Sequence, residues 1–206
     1  MKKKLLFSLF AICITGNVLI AQNEVTAPDV IKKRAFKFEF FSPTYGTLNF
    51  GYEQSISKRI NIDVGAGIIG VGFNETATAS SGMFVRGGAR LYFSPDYYTD
   101  DLRYYSDFQG SYFRPELIMS FFNFDFTDEL GSDVIGNNAS MGIQLNFGKQ
   151  WAIANTVPLD LWLGIGYNIN FTEDSDEMPF KYGYVGGSGG VPLSLSFGFS
   201  VGILTK

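Results

Sequence analysis

Residues 191–204 read VPLSLSFGFSVGIL. Leu193, Leu195, Phe197, Phe199, Val201 and Ile203 are large and apolar, and Ser194, Ser196, Gly198, Ser200 and Gly202 between them are small. A period of two is the side-chain period of a β-strand, so one face of this stretch is greasy and the other is small and wettable. A soluble sheet with one buried face alternates in the same way. Length separates the cases: a strand that crosses a bilayer at a tilt needs about 9–11 residues, whereas globular strands mostly run to about 5–6.

Working outward, the same pattern recurs seven times. Phe36, Phe38 and Phe40 open strand one, and a Pro- and Gly-containing turn at 42–46 ends it. Strand two spans 47–57, with Leu48, Phe50, Tyr52 and Ile56 on one face. After a polar turn at 57–59, Ile60, Ile62, Val64, Ala66 and Ile68 form strand three. A loop of small polar residues at 74–82 leads to strand four, 83–93. Residues 94–110 are a Tyr- and Asp-rich connection in which Thr99, Asp100 and Asp101 can cap one or two helical turns. Strand five starts near Ser111, and its pattern slips near Phe122, which reads as a bulge or an exit from the membrane slab. A polar loop at 127–138 precedes strand six, with Met141, Ile143, Leu145 and Phe147 on the apolar face. Residues 151–158 connect to strand seven, 159–171, and a long acidic then Gly-rich loop, 172–190, returns to strand eight.

Composition narrows the class. The 206 residues suit one all-β domain or two small ones. There is no His, which removes His-dependent triads, His–metal sites and His proton relays together. Cys13 is the single cysteine, so no internal disulfide forms. Lys2, Lys3 and Lys4 precede the apolar run 5–14, and Ala21 precedes Gln22, which reads as a cleaved secretory signal over 1–22. Residues 23–34 are a polar periplasmic lead-in, and 35–206 form the barrel. The chain has 16 basic and 20 acidic residues; loss of the three signal lysines leaves 13 and 20, a net charge of −7, which does not suit nucleic acid.

Eight alternating strands in simple order predict an all-β fold, a closed eight-stranded antiparallel up-and-down transmembrane β-barrel. The even count fits outer-membrane barrels, and closure leaves no unpaired edge in lipid. Tyr45, Phe73, Tyr92, Trp151, Tyr167 and Phe171 near strand ends suit interfacial girdles. The competing reading is a soluble lipocalin-like calyx with the greasy face inside. It would need a Gly- and Ser-rich exterior, and more large side chains inside than a small barrel holds.

The signal sequence and the runs SMGIQLNF (140–147) and DLWLGIGY (160–167) resemble the small outer-membrane β-barrel proteins of Gram-negative bacteria. The likeness is to the membrane domain of outer membrane protein A and the outer membrane protein X type. It implies an outer-membrane location and insertion by the barrel-assembly machinery, and it implies no particular activity. Members often end on an aromatic residue, whereas this chain ends Leu204-Thr205-Lys206.

The functional expectations follow from that architecture. No catalytic site, cofactor or metal site is expected. Strand parity assigns Lys37, Arg86, Arg90, Arg114 and Lys149 to the lumen with Glu39, Glu53, Asp63, Glu116 and Asp160, five bases against five acids. Such a balance suits a packed salt-bridge core that seals the barrel and serves a structural or surface-interaction role; the alternatives are a narrow, porin-like pore or a subunit of an envelope or secretion assembly. Outer loops concentrate acid at Asp128, Glu129, Asp133, Glu173, Asp174, Asp176 and Glu177, where divalent ions can bridge to lipopolysaccharide phosphates. Expected partners are outer-membrane lipid and lipopolysaccharide, with a protein partner on the outer loops or on the segment from Tyr97 to Tyr105.

Overall fold

The computed structural model describes residues 31–72, 80–94, 106–127, 133–171, 185–186 and 192–206. The signal sequence, residues 97–105 with the helical turns expected there, and most of the acidic loop residues lie outside these. Eight strands form the wall: β1 (Arg34–Glu39), β2 (Thr47–Ser57), β3 (Ile60–Ile69), β4 (Ser81–Ser94), β5 (Gly110–Thr127), β6 (Asp133–Ile153), β7 (Val157–Asn170) and β8 (Leu193–Thr205). Each pairs antiparallel with the next, and β1 pairs with β8 from Arg34↔Thr205 to Glu39↔Ser200, which closes the barrel. Val185–Gly186 adds a two-residue pairing along Leu195 and Ser194 of β8.

Which face points out decides between membrane barrel and calyx. Leu163 is 65% exposed and Phe197 47%, whereas Gln144, Asn146 and Asp160 are fully buried. The apolar residues are therefore outside and the polar ones inside, the arrangement of a transmembrane barrel. Every wall strand is paired on both sides along part of its length, so the backbone groups bond within the wall rather than facing hydrocarbon.

The inner-face glycines have a packing reason. A Cβ on Gly67 would collide with the Phe84 ring, and one on Gly198 with the Trp162 indole. Large side chains thus lie flat over glycines of the neighbouring strand, which lets an eight-stranded barrel fill its own lumen.

Several boundaries differ from the sequence expectation. Strand one ends at Glu39, although the Phe40 N–H still donates to the Phe199 carbonyl at 2.9 Å, and Phe41 leads into a 3-10 turn, Ser42–Tyr45, closed by Gly46 at φ 75°. β5 carries no bulge against β6, because its pairing runs unbroken to Thr127↔Asp133. The slip at Phe122 reflects instead an apolar rung inside the barrel, where Ile69, Phe84, Ile118 and Phe122 are all buried. Of the loop expected at 127–138, Thr127 and residues 133–138 are strand, because β5 and β6 keep pairing as far as Thr127↔Asp133. The connection expected at 151–158 shrinks to a turn in which the Thr156 N–H donates to the Ile153 carbonyl at 2.9 Å. Its central residues, Ala154 and Asn155, both have φ 48°, the twist that suits a two-residue hairpin. Tyr92 faces the lumen at 7% exposure and is no girdle residue, whereas Trp151, Tyr167 and Phe171 are exposed.

Candidate functional site

The lumen collects its polar groups because inward positions alternate with lipid-facing ones on every strand. The half nearer the start of β1 and the end of β8 is built around Arg90 of β4. The Arg90 Nε donates to Asp63 Oδ2 at 2.9 Å, and its Nη1 donates to Asp160 Oδ2 and to Gln150 Oε1, both at 2.6 Å. The guanidinium also lies 4.5 Å from the Tyr112 ring centre. Lys37 of β1 pairs with Glu53 and donates to Gln150 Oε1 at 2.8 Å and Asp160 Oδ2 at 3.4 Å. The Tyr112 hydroxyl donates to Asp160 Oδ1 at 2.7 Å, the Tyr92 hydroxyl to Glu53 Oε1 at 3.0 Å, and the Asn61 amide to the same Glu53 oxygen at 2.6 Å. Every charged group of this half makes at least one hydrogen bond, which is what buried charges require.

The next level up is looser. Arg114 reaches Asp63 Oδ1 at 3.5 Å, and its Nε lies 3.0 Å from Glu116 Oε2 without the alignment of a hydrogen bond. Arg86 stands 3.8 Å from Glu39, which also accepts from the Asn49 amide. The Arg86 and Arg114 guanidiniums lie 5.5 and 5.1 Å from the Trp162 ring centre. Cation–π contact thus takes over part of what hydrogen bonds do below. Above them the lumen holds the apolar rung and neutral pairs, such as Gln144 Nε2 to Ser194 Oγ at 2.5 Å.

Nine of the ten residues assigned to the lumen by parity face it. Lys149 does not. It lies beside fully buried Gln150 on β6, so it points outward, where its Nζ sits 5.5 Å from the Trp151 ring centre. Odd positions of β6 carry the lipid-facing Ile143, Leu145 and Phe147, and Lys149 continues that row to the interface, where a long basic side chain snorkels. The luminal balance is therefore four bases to five acids among the described residues, rather than five to five.

Gln150 and Asn61 belong to the network although they carry no charge; their inward parity was the available signal. Asp107 and Phe108 sit at the mouth where β1 begins and β8 ends, in an irregular connection that gives no periodicity to read. Of the acidic loop residues, Asp133 begins β6, and Asp128, Glu129, Glu173, Asp174, Asp176 and Glu177 lie outside the described residues.

Comparison with known proteins gives a family. The chain belongs to the family described as protein of unknown function (DUF3575), whose model matches residues 6–181. Among solved structures, it is similar to the crystal structure of the N-terminal β-barrel domain of Pseudomonas aeruginosa OprF. That likeness has 11% sequence identity and a TM-score of 0.47, and covers 84% of this chain and 95% of that one. No curated protein matches.

Proposed function

We propose that this DUF3575 member is a non-catalytic outer-membrane barrel whose lumen is sealed by its own side chains and whose role is structural or surface-interacting. The observation that carries the reading is the luminal network: Arg90, Lys37, Glu53, Asp63 and Asp160 are joined across five strands and are almost fully shielded from solvent. A wall held together from inside in this way leaves its chemistry to the lipid-facing surface and the loops. The exposed Leu, Ile and Phe of the outer face make the membrane itself the first partner, and Lys149 beside Trp151 marks its periplasmic boundary. The acidic outer connections, through divalent ions, are the part offered to lipopolysaccharide or to a protein.

Fractionation tests the first half of this reading. The protein is expected to stay in the membrane through carbonate washing and to migrate as a compact species in SDS until boiled, because its backbone bonds are internal. Release by salt or carbonate contradicts it. Deleting residues 172–184 tests the second half, and spares the Val185–Gly186 pairing. The barrel is expected to fold unchanged, and any surface binding is expected to be lost.

A further inference from the structure

The periplasmic mouth holds a structure that the network does not explain. Between β4 and β5 the chain turns inward at residues 106–109. The Gln109 N–H donates to the Ser106 carbonyl at 3.1 Å, and Gly110, at φ 133°, turns the backbone into β5. That turn drives Phe108 into the barrel, where it is fully buried against Ala35 of β1 and Leu204 of β8. These are the last inward residues of their strands at this end. A large ring held inside the rim, with the charged belt directly above, closes the mouth.

The turn is fastened on two sides. Inside, the Asp107 carbonyl accepts from the Asn61 amide at 2.9 Å, and the same amide nitrogen donates to Glu53 of the network. At the rim, Asp107 Oδ2 accepts from Ser55 Oγ at 2.9 Å and from Lys33 Nζ at 2.5 Å. Lys33 is itself built into the rim, since its N–H donates to the Thr205 carbonyl and its carbonyl accepts from the Ser55 N–H. The Lys33–Asp107 pair is partly open to water, so salt screens it more than the buried pairs.

We propose that residues 106–109 are a periplasmic stopper with Phe108 as its plug and the Lys33–Asp107 pair as its latch. It forms a seal separate from the charged network, and releasing it lets water reach Ala35 and Leu204 at the periplasmic end while the network keeps the rest of the lumen closed. The inference deepens the sealed-lumen reading and rests on it.

The test is thiol accessibility in the full-length chain, reconstituted in liposomes with Cys13→Ser throughout. Ala35→Cys reports directly behind the stopper. Ser200→Cys, paired in register with Asp160, reports at the level of the network. The probe is a membrane-impermeant methanethiosulfonate with access to the periplasmic side. With Phe108 in place, neither position is expected to react appreciably. Phe108→Ala is expected to speed labelling at Ala35→Cys by tenfold or more and to leave Ser200→Cys protected. Asp107→Asn, which spares the plug, is expected to give a smaller acceleration, and added salt is expected to accelerate labelling with the latch intact but not with Asp107→Asn. The proposal is overturned if Ala35→Cys reacts equally fast with and without Phe108. It is equally overturned if both reporters open together, since the barrel has then loosened as a whole. Steady conductance of the unmodified protein sinks the sealed-lumen reading instead, and is measured separately.

Discussion

The two halves of the lumen are filled by different means. The half nearer the start of β1 and the end of β8 is filled by charge: Arg90 hydrogen-bonds Asp63, Asp160 and Gln150, and Lys37, Tyr92 and Tyr112 bind Glu53 and Asp160 from other strands. The opposite half is filled by shape: Phe84 lies over Gly67, Ile118 and Phe122 are buried beside it, and the polar contacts are mostly between neutral groups. The level between them, where Arg86 and Arg114 flank Trp162, shares both means. The difference teaches where a single substitution hurts. A charge network fails when one member goes, because its partners stay buried and unpaired. A shape-filled region fails in proportion to the volume added or removed.

The largest effect is therefore expected from Arg90→Ala. It strands Asp63 and Asp160 and is expected to cost about 3–5 kcal/mol in denaturant unfolding from lipid or detergent. Adding Asp160→Asn is expected to recover part of the loss, and a strictly additive double variant breaks the charge half of the comparison. Next comes the outer surface, with Leu195→Arg expected to cost about 2–4 kcal/mol if the residue lies near the bilayer midplane. A negligible cost there removes the lipid-facing assignment on which both halves depend. Gly198→Ala, which pushes against the Trp162 indole, is expected to cost about 1–3 kcal/mol through overpacking. The smallest effect is expected at Gly87, where an added Cβ meets nothing within 4 Å. Gly87→Ala is expected to change stability by less than about 0.5 kcal/mol. Equal costs at Gly198 and Gly87 mean that inner glycines are not packing sites.

Strand number, strand order and the direction of the faces were legible in the sequence, because lipid outside and side chains inside impose a strict period of two. β3 from Ile60 to Ile68 and β8 from Leu193 to Ile203 follow it without exception, and the inward Ile69 and Leu204 end the pattern. The luminal acids and bases were legible for the same reason, and Lys149 shows the cost of carrying parity past a strand's clean stretch. It sits one residue beyond Gly148, and only a strict count along β6 separates it from Gln150. Boundaries were less legible. Residues 133–138 show no clean alternation and look like a loop, yet their backbone bonds to β5 need no such pattern. The stopper was not legible at all, since Phe108 is buried by a turn whose inward direction depends on Gly110 and on partners 46 to 74 residues away in sequence.

The central claim is that side chains close this barrel from end to end. Planar-bilayer recording of the purified, folded protein at neutral pH tests it most directly. No steady ion conductance is expected at moderate voltage. A steady, ion-selective conductance in the unmodified protein contradicts the claim and makes the network the lining of a narrow pore.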